Sequence, residues 1–221
     1  MRVVERDELE RTIKTYASQR TGALHQRPEL SIETLDHFEV GVIEDPLPGD
    51  EWLRRGITIP FRLWSPSGLG HAMMKVRMPD NAKVGGKYQI GLVDAWLHNH
   101  NHGIVPFYAD PLLNAGTVVI TEGEFDAMVV HQLEGNIAAM GIPGIETWTR
   151  EKRYWCYMLR GKQVVIAYDA DEAGRRGAAK VGAMLKEFDC TIQQVALPEG
   201  TDISDIARTA GLGGVRKALS L

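Results

Sequence analysis

Residues 118–126 read Val-Val-Ile-Thr-Glu-Gly-Glu-Phe-Asp, and residues 164–171 read Val-Val-Ile-Ala-Tyr-Asp-Ala-Asp. Each is an apolar, β-branched run that stops abruptly at carboxylates. A strand buried on both faces of a parallel sheet has that profile. In open α/β sheets, ligands gather at the carboxyl ends of the strands. Glu122 at one strand end, with Asp169 and Asp171 at another, would therefore converge on one spot. Such carboxylates repel one another unless a cation sits among them, and a hard divalent ion suits an all-oxygen set. Magnesium or manganese held this way serves phosphoryl and nucleotidyl transfer. An acid after a strand also commonly caps the next helix. Gly123 and Gly174, which let backbone approach closely, favour the metal-site reading over plain caps.

Working outward, the rhythm from about Gly116 alternates between periods. Strands are expected at 118–121, 137–140, 163–168 and 191–196, with helices at 124–134, 149–160, 172–188 and 203–210. Asp202 stands where the last helix needs an N-cap. That alternation implies α/β architecture: a Rossmann-like parallel sheet with helices on both faces. Before it, Leu9, Ile13 and Tyr16 line one side of a helix over 7–20, and Ser31 caps a second, short helix. Residues 44–51 read as a loop. Residues 56–64 and 71–78 read as strands joined at Ser65-Pro-Ser-Gly. A smaller mixed α+β region over 1–112 thus precedes the α/β domain at 113–221.

Composition narrows the function classes. The net charge is −4, so any nucleic-acid surface must be a local patch and not a general basic coat. There are two cysteines, Cys156 and Cys190, and no CxxC pair, which argues against a disulfide framework and a cysteine zinc site. The charged start (Arg2, Glu5, Arg6, Asp7, Glu8) is unlike a signal peptide, and no apolar run is long enough for a bilayer, so a cytoplasmic protein with no membrane contact is expected.

The spacing of Glu122-Gly123, then Asp169-x-Asp171 followed by Gly174, resembles the Toprim domain shared by DnaG-type primases, topoisomerases and some nucleases. Glu122 matches that family's glutamate, and Asp169 and Asp171 match its DxD pair. Glu-Gly-Glu-Phe-Asp-Ala and Tyr-Asp-Ala-Asp-Glu-Ala-Gly-Arg resemble the primase branch, especially phage primases. Leu197-Pro-Glu-Gly-Thr-Asp202 with Asp205 is similar to the acidic stretch after the last Toprim strand of primases, which implies a metal role for Asp202, directly or through water. A plain helix cap is the other reading of Asp202. Asp126 admits a supporting role near the metal, although Glu124 and Asp126 also suit the positive end of a helix.

The front half resembles the remainder of a primase RNA-polymerase core more loosely. The segments that carry the resemblance are Arg55-Gly-Ile-Thr-Ile-Pro-Phe-Arg62, Lys75-Val-Arg77 and Gly86-Lys87-Tyr88, with Leu92 to Leu113 as an apolar linker. Arg54, Arg55, Arg62, Lys75, Arg77, Lys83 and Lys87 fall where only Glu51 and Asp80 oppose them. Such a patch suits single-stranded DNA template and ribonucleoside triphosphates, with Arg77 and Lys87 as the leading phosphate contacts. A solvated strand face is the alternative. Arg175, after the DxD loop, could also reach phosphate. His98-Asn-His-Asn-His102 would align alternate imidazoles on a strand, a zinc or nickel pattern, but reads equally as a polar loop, and no zinc is expected. Trp148, Tyr154 and Trp155 fit an amphipathic helix packed in a core.

The resemblance implies a DNA primase catalytic core making short RNA primers during replication. No cysteine set for a zinc module and no Walker A motif occur in the chain, so a separate zinc-binding initiation factor and a replicative helicase are the implied partners. A Toprim nuclease would use the same acids with water as the nucleophile. A non-catalytic single-strand-binding module is a third reading, which the intact acidic set opposes.

Overall fold

The computed structural model describes residues 1–20, 27–65, 68–79, 86–99, 105–142, 148 and 154–221, which form two compact units, Met1–Val105 and Pro106–Leu221.

The first unit is a five-stranded sheet in the order β1-β5-β4-β3-β2. Its strands are β1 (Arg2–Val4), β2 (Gly41–Ile43), β3 (Gly56–Ser65), β4 (Gly68–Arg77) and β5 (Tyr88–Asp94). β3 and β4 form the expected long hairpin, with a register shift between Phe61 and Arg62; Pro66 and Ser67 of its turn lie outside the described residues. β1 joins β5 in parallel, and the other pairs are antiparallel. Helix α1 (Arg6–Ser18) presents Leu9, Ile13 and Tyr16, all fully buried, to one face of this sheet, where they meet Met74, Val76 and Leu92. Burying each such side chain stabilises the fold by roughly 1.5–3 kcal/mol. Contact is close enough that a Cβ at Gly41 would strike the Tyr16 backbone. Ser31 caps α2 (Ile32–His37) by accepting from Thr34 N, as its position suggested. Strands β1, β2 and β5 are not apparent in the sequence. The first two have three residues each, too few to display a period, and Gly91 interrupts the third. Helix α3 (Ala95–Asn99) follows β5 and carries His98, so the alternating-strand pattern fails at the first histidine; His100 and His102 lie outside the described residues.

The second unit holds the strand order β10-β9-β7-β8-β6. β7 (Thr117–Thr121), β8 (Ile137–Gly141), β9 (Gln163–Ala167) and β10 (Thr191–Gln194) are parallel, while β6 (Phe107–Tyr108) runs antiparallel on the edge beside β8. This edge strand ties residues from 106 onward to the second unit, so the division falls inside the stretch read as linker, Leu92 to Leu113, and ahead of the expected boundary at 112/113. Its two residues give no sequence signal. The helices are α4 (Glu124–His131), α5 (Tyr154–Tyr157), α6 (Glu172–Leu185) and α7 (Ile203–Leu219). Of the helix expected at 149–160, residues 149–153 lie outside the described residues. Trp148 and Trp155 are fully buried and meet edge to face at 5.7 Å, as core residues do. α7 runs past its expected end, with a kink at Gly211, whose φ of 65° suits glycine. The chain leaves β7 for β8 on one side and returns to β9 on the other. The crevice between β7 and β9 is therefore the topological switch point, where such sheets bind ligands.

Candidate active site

Glu122 follows β7, and Asp169 follows β9, its immediate neighbour in the sheet. The strands hold the two loops in register, Thr121 opposite Ala167. Glu122 Oε1 accepts a hydrogen bond from the Asp169 backbone N–H at 3.2 Å. Burial, followed by the negative charge of Asp169 and then of Asp171, raises the Glu122 carboxyl to about 7. The backbone bond offsets this only in part. The three acids read from the sequence thus share one electrostatic neighbourhood.

Gly174 makes that proximity possible. A Cβ there would run into the Asp169 carbonyl and come within 2.7 Å of Glu122 Oε1. Asp171 Oδ1 meanwhile caps α6, accepting from Gly174 N at 2.6 Å. Asp202 caps α7 through a reciprocal box: its Oδ1 accepts from Asp205 N at 2.6 Å, and Asp205 Oδ2 accepts from Asp202 N at 3.3 Å. Both acids act as caps in this structure, and each cap occupies one named oxygen of its carboxylate.

Asp126 has a larger part than its place in the sequence suggested. It is 6% exposed, and its Oδ1 accepts from both Ser204 N (2.9 Å) and Ser204 Oγ (2.6 Å). Burial and the nearby charge of Asp202 push its carboxyl well up, and Asp169 adds to this. A single sequence carries no signal for a contact between residues so far apart.

Among the described residues no group of three or more His, Cys, Asp or Glu side chains is already arranged to hold a metal ion. The donor set nevertheless fits magnesium or manganese. It is all oxygen, and the charges of Asp169 and Asp171, which add to burial in raising Glu122, are what a cation would offset. Magnesium is commonly held by one or two carboxylates plus water and substrate phosphate, without a complete protein cage. Beside the acids lies a cavity of about 390 Å³, lined in part by Asp169, Gly174, Arg175 and Gln194. Arg175 is exposed on the first turn of α6.

In the first unit, the predicted cations differ in their engagement. Lys75 and Arg77 alternate along β4 on the face opposite the α1 core. Lys75 is buried, with Nζ 4.4 Å from the Tyr88 ring centroid and 5.3 Å from that of Phe61. Arg77 Nη1 donates to the Tyr88 hydroxyl at 3.1 Å. Lys87 is exposed. Arg62 donates to Glu39 at 2.9 Å and to the His37 carbonyl at 3.0 Å, so its guanidinium is already committed. With a hydrogen bond from His71 as the larger cause, Arg62 helps hold the Glu39 carboxyl down at about 2. Arg55 pairs with Asp45 at 2.8 Å, both well exposed. Lys83 lies outside the described residues.

Residues 119–207 match the family model described as Toprim-like. A DNA primase of Clostridium acetobutylicum is 31% identical over 98 residues, which make up 43% of this chain and 15% of that protein. The chain therefore corresponds to a small part of that curated relative. Among solved structures, the RNA polymerase domain of Mycobacterium tuberculosis primase DnaG superposes with a TM-score of 0.74 at 16% identity, covering 98% of this chain and 84% of that one. The primase fragment of the bacteriophage T7 primase-helicase protein gives 0.60 at 19% identity, covering 90% and 74%. Both units thus have the fold of a primase RNA-polymerase core.

Proposed function

We propose, from a Toprim-like second unit and a chain folded throughout as a primase RNA-polymerase core, that this protein synthesises short RNA primers on single-stranded DNA. The observation that carries the reading is the acid cluster at the switch point, Glu122 hydrogen-bonded to the Asp169 backbone with Asp169 and Asp171 close by, in which burial first and then the neighbouring charges raise Glu122. Glu122, Asp169 and Asp171, with Asp202 beside them, would hold magnesium or manganese. When bound, that ion lowers the pKa of the attacking ribose 3′-hydroxyl and stabilises charge on departing pyrophosphate. The half-buried Glu122 carboxylate would concentrate negative charge where water is partly excluded. Gly174 leaves room for it beside Asp169. Arg175, at the cavity rim, would meet triphosphate oxygens.

The first unit would hold the template. Lys75, Arg77 and Lys87 offer charge to phosphates, and Tyr88 fixes two of them through its ring and hydroxyl. Arg55 and Arg62 would assist after exchanging their present carboxylate partners. Base pairing selects the nucleotide, so the protein need only grip the backbone. A replicative helicase and a zinc-binding initiation factor are the proposed partners, and the setting would be the cytoplasm. Among the described residues no helix is long and apolar enough to cross a membrane.

The test is incubation of the protein with single-stranded DNA, labelled ribonucleotides and either metal. Ladders of new RNA are expected. Shortened input DNA without new RNA would overturn the reading in favour of a nuclease, and retention of DNA without either product would leave a binding module.

A further inference from the structure

The loop that carries Asp202 is held from two sides. On one, Ala170, between Asp169 and Asp171, donates its N–H to the Thr201 carbonyl at 3.2 Å, while Gly200 N donates to the Ala170 carbonyl at 3.4 Å. On the other, Ser204 gives both its backbone N–H and its hydroxyl to one oxygen of Asp126, in the first turn of α4. That turn begins at Gly123, next to Glu122. A Cβ at Gly123 would come within 2.7 Å of Asp126 Oδ2, so glycine at that position leaves the carboxylate the room it occupies.

Neither helix capping nor apolar docking requires this second tie. The cap of α7 is complete in the Asp202–Asp205 box, and Ile203, Ile206 and Ala207 already bury apolar surface. Burying a carboxylate beside a 2%-exposed serine is costly unless its hydrogen bonds are made. What two directional bonds to one oxygen add is orientation. They fix the rotation of α7 about its axis, and with it the place of the residue two positions earlier.

We propose that Ser204 is a positioning residue that, through Asp126, fixes Asp202 at the Glu122–Asp169 acid cluster and so tunes divalent-metal affinity. This rests on the metal-site reading given above. Outer partners that orient ligands are typically worth about 10–100-fold in metal affinity.

The test titrates Mn2+ into the full chain by calorimetry, alongside metal-free thermal unfolding. Ser204→Ala should weaken Mn2+ binding by about tenfold. Ser204→Cys, nearly isosteric with a weaker donor, should fall between Ala and wild type. Asp202→Asn should weaken binding too, and the Ser204→Ala/Asp202→Asn double variant should lose little more than Asp202→Asn alone, because one acts through the other. Wild-type affinity in both Ser204 variants, or losses that add in full, would overturn the proposal and leave Ser204 a structural contact. If Ser204→Ala fails to fold, the Cys variant alone and combined with Asp202→Asn carries the same decision. A wild-type chain with no measurable Mn2+ affinity would overturn it outright. A wild-type chain that binds Mn2+ but makes no primer would instead sink the proposed function, and the clamp would still be judged on affinity.

Discussion

Glu122 is a half-buried carboxylate whose ionisation is opposed by burial and by two neighbouring acids. Its folded value, about 7, lies above its ordinary 4.5. Between those pH values the folded protein keeps a proton that the unfolded chain has released. Metal-free stability therefore falls as pH rises through that window. Glu122→Gln should abolish this part of the pH dependence and reduce primer synthesis by more than the roughly 10–100-fold typical of a residue that only orients a metal ligand. Thermal unfolding at pH 5 and pH 8, without metal, checks the first outcome. An unchanged slope would place the titrating group elsewhere. At this scale the sequence was informative about Glu122, Asp169 and Asp171, since each closes an apolar strand. It was silent about Ser204, whose partner lies across the unit.

The parallel strands were legible because a run such as Val-Val-Ile has one reading when carboxylates and a helical pattern follow it. The short edge strands β1, β2 and β6 were not, because two or three residues acquire their conformation from a partner strand. Hence the linker read over Leu92 to Leu113 proved to contain the end of β5, helix α3 and β6. The junction of β9 with α6 shows how an element serves a site. Gly174→Ala would force the Asp169 loop from the Glu122 loop. It should lower stability by about 1–3 kcal/mol, the usual cost of overpacking, and cut activity sharply. Denaturant titration with a parallel primer assay checks this. Retention of both would mean the loop can shift without consequence.

For the molecule as a whole, the proposed division of labour is electrostatic. An acidic chain keeps a short cationic strip on β4 and at the start of β5, and an anionic cluster in the other unit. Lys87→Ala and Arg77→Ala should each weaken single-stranded DNA binding, and each should make the salt dependence shallower by roughly one counterion per lost phosphate contact. Mn2+ affinity should stay at the wild-type value. Fluorescence anisotropy across a salt series checks this. Arg77→Ala also releases Tyr88, so its effect should exceed that of Lys87→Ala. Wild-type DNA affinity in both variants at low salt would remove this strip from the template path.

Asp171 caps α6 with the Oδ1 atom, which holds the Gly174 amide. That single proton is consequently a gauge of what the carboxylate is doing. An ion that draws Asp171 away must loosen the cap, and one that takes only the other oxygen must leave it tight. Amide exchange at Gly174, followed with and without Mn2+, distinguishes these cases. Faster exchange on loading would mean that each catalytic cycle frays the first turn of a helix; slower exchange would mean that metal and cap share one carboxylate throughout.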